Sequence, residues 1–156
     1  MTEFTNNYFK EMETACREWQ KAKERRNAER AALVAADDWD ELKEWSEREK
    51  SYIFPFTSGE MKALCGWKNS ANTDIFAVDE LPWEGKDEAE DFIEAMREAG
   101  VEEFAITDRS TALMDALHEL AEAGCEMKGL RKVKKTENYY GEMRTETLNG
   151  ILMRIG

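Results

Sequence analysis

Carboxylates are the most abundant side chains in this sequence that could do chemistry, and they are concentrated between residues 79 and 103. That stretch holds eleven acids and two bases, which gives it a local charge of −9. Two or three carboxylates that converge in a cleft can bind a metal ion or act as general acid and base. Most of these acids, however, occupy solvent-facing positions of a predicted helix. The pattern therefore favours a charged surface over a catalytic or metal site.

The acids of this helix are also ordered in space. On a helical wheel Asp91, Glu94 and Glu98 lie within about 40° of Asp87, on the side opposite the apolar residues. Their rise of about 4.5–6 Å along the axis only approximately matches the spacing of about 3.4 Å between phosphates of one DNA strand. Because these acids share one side of the helix, we expect a ridge of carboxylates that contacts a basic protein surface. The expected partner-binding residues are Asp87, Glu88, Glu90, Asp91, Glu94 and Glu98.

A second candidate for chemistry is the segment from Asp108 to His118. Residues 107–111 place hydroxyls and a carboxylate before a predicted helix, where backbone N–H groups can hold an anion. His118 is the only histidine of the chain, and its wheel position at the border of the apolar stripe predicts partial exposure. Ordinary helix capping accounts for the same residues. An enzyme or nuclease-modifying factor that uses residues 108–118 is the alternative hypothesis, and no catalytic residue is assigned.

No known catalytic or cofactor-binding motif occurs in the sequence. It lacks the glycine-rich nucleotide loops, the nucleophile elbow and the paired-histidine zinc motif. Cys16, Cys65 and Cys125 are an odd number of thiols without metal-site spacing, so buried thiols are expected instead of disulfides or zinc ligands. No cofactor and no metal are therefore predicted.

The net charge of −12 limits the classes of partner. Such an acidic chain repels phosphates, so we expect no direct binding to nucleic acid or to an anionic membrane. No apolar run is long enough to span a bilayer, and the first residues are too polar for a signal peptide. The expected location is the cytoplasm.

Helical spacing of apolar residues organises the N-terminal third. It predicts an amphipathic helix from Asn7 to about Ala36 whose middle part, Lys23–Arg30, stands in solvent. Asp38 and Glu41 have the spacing of a capping box for a further helix. A helical hairpin and one long helix through Lys50 both remain open, because no glycine forces a turn.

Beyond Pro55 the sequence predicts the helices and strands that position the acidic ridge. Thr57 and Glu60 suggest a capped short helix, and residues 74–78 suggest a strand followed by a turn at residues 81–85. The ridge helix spans 87–99, and Gly100 ends it. A strand at Phe104–Ile106 precedes a helix capped by Asp108 or Ser110 and ended by Gly124. The core stripe expected for this helix is Leu113, Met114, Leu117, Leu120 and Ala121.

The C-terminal part reads as a hairpin, with strands near 127–133 and 145–155 and a turn at 138–141. The order of elements predicts an α+β fold: a small mixed sheet of about four strands with two packed helices, plus an N-terminal helical hairpin or long helix. We expect two domains, an N-terminal helical region at 1–50 and a compact α+β domain at 51–156. Parallel and antiparallel strand pairs are both expected.

The stretch EEFAITDRSTALMDALHELAEAGCEMKGL, residues 102–130, resembles an uncharacterised domain of small proteins carried on bacterial mobile elements and phages. The resemblance covers about residues 85–155, and its motif is structural, so it transfers no catalytic residues. Small acidic proteins of such elements include anti-CRISPR and anti-restriction inhibitors, some of which occupy nucleic-acid-binding surfaces of host nucleases.

The leading hypothesis is a non-enzymatic acidic inhibitor or adaptor that binds a basic, nucleic-acid-binding surface of a host protein. Its most specific form is an anti-CRISPR protein that acts on a Cas nuclease or its RNA complex in the bacterial cytoplasm. A third hypothesis is a self-associating structural protein of a mobile element, for example a homodimer. Its contacts would come from exposed apolar side chains of the N-terminal region. These side chains are Tyr8, Met12, Trp19, Trp39 and Trp45.

Overall fold

The computed structural model describes residues 7–49, 53–81 and 85–156. It divides the chain into a helical unit, Lys10–Pro55, and a compact unit formed by Met1–Phe9 with Phe56–Gly156. The domain boundary expected near residue 51 and the turn expected at residues 82 and 83 lie outside the described residues. Phe54 to Phe56, where Pro55 disfavours regular structure, form no helix or strand.

The helical unit resolves the alternative between one helix and two. Helix α1, Tyr8–Ala35, and helix α2, Trp39–Glu49, are separated by a turn in which Asp37 has a φ of 54°. The side chain of Asp38 accepts a hydrogen bond from the backbone N–H of Glu41 at 3.2 Å, as expected for a cap. Trp45 donates its indole N–H to Glu29 at 3.0 Å, so the two helices contact each other as a hairpin.

The compact unit begins with helix α3, Ser58–Asn69, and the predicted capping box is present. Thr57 accepts from the backbone N–H of Glu60, and the Glu60 side chain accepts from the backbone N–H of Thr57. A short 3-10 turn, Ser70–Asn72, leads to strand β1, which is only Ala77–Val78. The Ser70 hydroxyl fixes this connection because it accepts from the Ala77 N–H at 2.8 Å.

The α+β fold with a mixed sheet of four strands is confirmed. Helix α4, Lys86–Glu98, connects β1 to strand β2, Glu103–Ile106, and these two strands pair in parallel. Helix α5, Leu113–Glu122, follows. Strands β3, Cys125–Tyr139, and β4, Glu142–Ile155, form an antiparallel hairpin, and the strand order is β1-β2-β4-β3. The C-terminal strands are thus longer than the sequence pattern indicated.

The outer strand β3 departs from regular pairing, and its far end approaches the segment before β1. A register shift between Met127 and Gly129 interrupts the pairing of β3 with β4, and such bulges increase twist. Beyond it, Lys134 exchanges hydrogen bonds with Asp74, just before β1. Gly150 packs closely in this part of the sheet, where a Cβ on it would lie 3.2 Å from Val133 and 3.4 Å from Ala105. Small side chains therefore allow this close packing.

The second helix of the sheet differs from the expected one in its start and its stripe. The Asp108 carboxylate accepts hydrogen bonds from the backbone N–H and the hydroxyl of Ser110, at 2.8 and 2.9 Å. Neither residue therefore caps α5. The helix begins later, after Ala112, without a side-chain cap. The expected core positions Met114 and Ala121 are exposed, and Ala116 is buried in their place.

Candidate binding surface

Helix α4 is held rigidly against the sheet by its apolar side. Phe92 and Met96 are fully buried, and the Phe92 ring packs edge-on against Phe104 of β2 at a centroid distance of 5.8 Å. Gly100, with a φ of 79°, follows the C-terminal end of the helix. These contacts fix the rotation of α4, and hence the direction in which its opposite side faces.

The opposite side carries the predicted ridge. Asp87, Glu90, Glu94 and Glu98 are exposed, and Asp91 is half-buried. We call these five residues the acidic surface. The side chains project from a helix whose core side is packed, so their separation is set by the helix and not by a mobile loop.

Glu88 does not belong to this surface, contrary to expectation. Its side chain is buried and pairs with the ammonium group of Lys62 on α3. Lys62 also donates to the backbone oxygen of Leu81 at 2.8 Å. The helical wheel could not show this, because α3 covers a flank of α4 that a single-helix projection treats as solvent. Glu88 therefore joins α3 to α4.

Helix α3 lies unusually close to α4 at Gly59. A Cβ on Gly59 would lie 2.3 Å from the backbone oxygen of Glu88 and 2.8 Å from the Cβ of Asp91. Only glycine permits this approach. It brings Glu60, at the start of α3, into the neighbourhood of the acidic surface.

The negative charge of this region acts on the phenol of Tyr8. Partial burial raises the pKa of its phenol, and the negative charges of Glu60, Glu98 and Glu94 raise that pKa further. Carboxylates from two helices therefore act on one point of the compact unit. Tyr8, Gly59 and Glu60 were not expected to be parts of this region. The capping box marked Glu60, but only the packing of α3 on α4 brings it close.

Nearby bases neutralise this region only in part. Lys86 lies 3.7 Å from Glu90 and Arg97 lies 3.6 Å from Glu94, both at exposed positions where ion pairs are weak. The Arg97 guanidinium also donates to the backbone oxygen of Gly156 at 2.9 Å. Arg131 of β3 pairs with Asp74 at 3.5 Å, away from α4.

The other acidic block of the sequence, on α2, has a different environment. Its Glu49 pairs with Arg26 of the basic segment of α1 at 3.4 Å. Glu29 of α1 accepts from Trp45 of α2, as described above. Some charged side chains of the helical unit are thus paired with groups of that same unit.

The segment considered for enzyme chemistry, residues 108–118, runs from the loop before α5 into that helix. Asp108 is engaged with Ser110, and His118 is exposed on α5. His118 lines a shallow apolar groove whose floor includes Cys125, where burial raises the thiol pKa to about 11. Within the described residues, no three histidine, cysteine or acidic side chains are grouped closely enough to hold a metal ion.

The side chains considered for self-association are mostly covered. Met12 is buried, and Tyr8, Trp19 and Trp45 are half-buried. Trp19 packs edge-on against Phe54 at 5.0 Å. Trp39 is the exception, with 61% of its surface exposed.

The fold and its surface define a small α+β protein that displays a cluster of carboxylates on two packed helices. Among the helices of the described ranges, none has the length and apolar character needed to cross a membrane. Residues 62–155 match the family described as Domain of unknown function (DUF7698), and the chain belongs to that family. No curated protein and no solved structure matches the chain.

Proposed function

We propose that this protein is a non-enzymatic inhibitor or adaptor that binds a basic, nucleic-acid-binding surface of another protein through the acidic surface of α4. The observation that carries the proposal is the row of exposed carboxylates Asp87, Glu90, Glu94 and Glu98 on a helix whose opposite side is buried. The packing of this helix on α3 is fixed by Gly59 and by the buried Lys62–Glu88 pair. A preformed array of charge binds with a smaller loss of conformational freedom than a flexible acidic tail.

Electrostatic complementarity gives such a surface its selectivity. A cluster of carboxylates attracts lysine- and arginine-rich surfaces, and it accelerates their encounter at low ionic strength. A basic surface that normally holds nucleic acid is suited to this role because its charges are already arranged for phosphates. Occupying that surface excludes the nucleic acid, which is how binding produces inhibition.

The most specific form of the proposal is an anti-CRISPR protein that acts on a Cas nuclease in the bacterial cytoplasm. This form comes from the resemblance of residues 85–155 to proteins of mobile elements and phages. The broader form, a binder of basic protein surfaces, depends only on the charge and packing described above.

The first test neutralises the acidic surface and measures binding to a purified Cas nuclease, with and without its guide RNA, and to a panel of other basic nucleic-acid-binding proteins. The variant carries Asp87→Asn, Asp91→Asn, Glu94→Gln and Glu98→Gln. Its affinity for the bound partner should fall about four- to 900-fold, because each of the four charge pairs contributes about 0.2–1 kcal/mol. Inhibition of the nuclease should require equimolar protein and should weaken as salt is added.

The matched control changes four exposed acids elsewhere: Asp40→Asn, Glu44→Gln, Glu102→Gln and Glu122→Gln. Both variants have the same net charge, so only position distinguishes them. Equal losses from the two variants, or inhibition at far less than equimolar amounts, would contradict the proposal. Binding to other basic proteins but not to the Cas nuclease would contradict only its specific form.

A further inference from the structure

The outer strand β3 has a free hydrogen-bonding edge. The Gly124 backbone oxygen accepts from the Gly156 N–H, so the backbone N–H and C=O groups of Gly124 point toward β4. Because these groups alternate in direction along a strand, those of Cys125 and Met127 point away from β4. Beyond the bulge, the Lys134 backbone bonds Asp74 and therefore also faces away from β4. By the same alternation Leu130 and Lys132 face outward. Within the described residues, no backbone partner pairs with these outward groups between Cys125 and Lys132.

An apolar groove runs beside this edge, between α5 and β3. It has a volume of about 240 Å³, which suits one or two side chains and not a whole small-molecule ligand. Met114 and Met127 on its two sides are 64% and 61% exposed. Leu130, farther along the same face of β3, is 90% exposed. Apolar side chains in a row beside a free edge are the arrangement that receives an added strand.

The charge of β3 selects the occupant. The edge itself, residues 125–132, contains three bases and one acid. The acid is Glu126, whose carboxylate lies 3.5 Å from the ammonium group of Lys128, so the edge keeps a net positive charge. A second copy of β3 paired antiparallel about Leu130 would place Lys128 opposite Lys132, and like charges directly opposite are unfavourable. An acidic strand would instead meet opposite charge at Lys128 and Lys132, both of which are exposed.

We propose that the free edge of β3 between Cys125 and Lys132 binds an extended segment of a partner protein as an added strand. Acidic side chains of that segment face Lys128 and Lys132, and an apolar side chain enters the groove between α5 and β3. This peptide site is separate from the acidic surface of α4 and does not depend on its function. Backbone hydrogen bonds supply affinity, while the groove and the lysines supply selectivity.

The test selects short random peptides displayed on phage against the full chain. Enriched peptides should combine acidic with apolar residues and should lack proline at their centre. A synthetic peptide of the enriched sequence should slow amide hydrogen exchange at Met127, Leu130 and Lys132. Amides that already face β4 should show little change. Methylating alternate backbone nitrogens of the peptide should abolish binding without altering the protein.

The protein variant for this test is Lys128→Glu with Lys132→Glu, which should weaken the peptide about tenfold or more. Lys21→Glu with Lys43→Glu, at exposed positions of α1 and α2, is the control with the same net charge. Failure to enrich any such peptide, or protection of amides outside β3, overturns the proposal. A dimer in solution whose β3 edge amides are protected without peptide also overturns it, because a second copy then occupies the edge.

Discussion

At the scale of single residues, Tyr8 provides a measurable probe of the acidic surface. Its phenol pKa is raised first by burial and then by Glu60, Glu98 and Glu94. A negative neighbour disfavours the phenolate, so the proton is retained to higher pH. The folded protein therefore holds the phenol proton more tightly than the unfolded chain does. The stability that this proton contributes is present below the ordinary pKa of 10.0 and is lost as pH rises through the raised pKa of the folded state.

Glu94→Gln with Glu98→Gln should therefore lower the Tyr8 pKa toward 10.0. The pKa should remain somewhat raised, because burial is the larger cause. The measurement is the ultraviolet absorbance of tyrosinate during a pH titration, with Tyr8→Phe to assign the signal among the four tyrosines. Glu102→Gln with Glu122→Gln is the control. An unchanged Tyr8 titration in the first variant would show that these carboxylates do not act on it.

Glu88 marks the limit of what a single-helix pattern can predict. The exposure of Asp87, Glu94 and Glu98 follows from their wheel positions, and the structure places them as expected. Glu88 lies on a flank that α3 covers, and no local spacing encodes which helix will cover which flank. Predicting its ion pair with Lys62 would have required the tertiary arrangement of the two helices.

At the scale of elements, the helix signals in the sequence were the most informative. The Thr57–Glu60 capping box and the glycines after α4 and α5 set boundaries through local chemistry, and each boundary is observed. The start of α5 was wrong because an Asp108–Ser110 turn competes with capping. The approach of β3 to the segment before β1 was not predicted, since the bridge from Thr73 to Lys135 joins residues distant in the chain.

Gly59→Ala should destabilise the protein, although alanine favours helices elsewhere. Its Cβ would meet the Glu88 backbone oxygen at 2.3 Å, and backbone cannot move aside as a side chain can. The expected loss in free energy of unfolding is about 1–3 kcal/mol, as for overpacked sites. Urea unfolding monitored by circular dichroism measures it.

Ser58→Ala is the control for this prediction, because Ser58 is exposed in the same turn of α3. It should change the free energy of unfolding by no more than about 0.5 kcal/mol. A Gly59→Ala variant as stable as the parent protein would contradict the close approach of α3 to α4. The acidic surface would then lose its fixed geometry.

At the scale of the whole molecule, the net charge of −12 is distributed unevenly. Acids of α4 and α3 gather in one region of the compact unit, while β3 carries a basic run beside a free edge. In the helical unit, part of the acidic charge of α2 is paired with α1. Composition alone predicted an acidic protein with basic partners, but it could not show which acidic block is engaged internally.

The most direct test of the central claim is carbodiimide cross-linking of the complex with its basic partner, followed by mass spectrometry of the joined peptides. This chemistry couples a carboxylate to a lysine only where the two are in contact. We predict cross-links from Asp87, Glu90, Glu94 or Glu98 to lysines of the partner's nucleic-acid-binding surface, and their loss when that nucleic acid is added in excess. Cross-links that come instead from the α2 acids, with none from α4, would contradict the account.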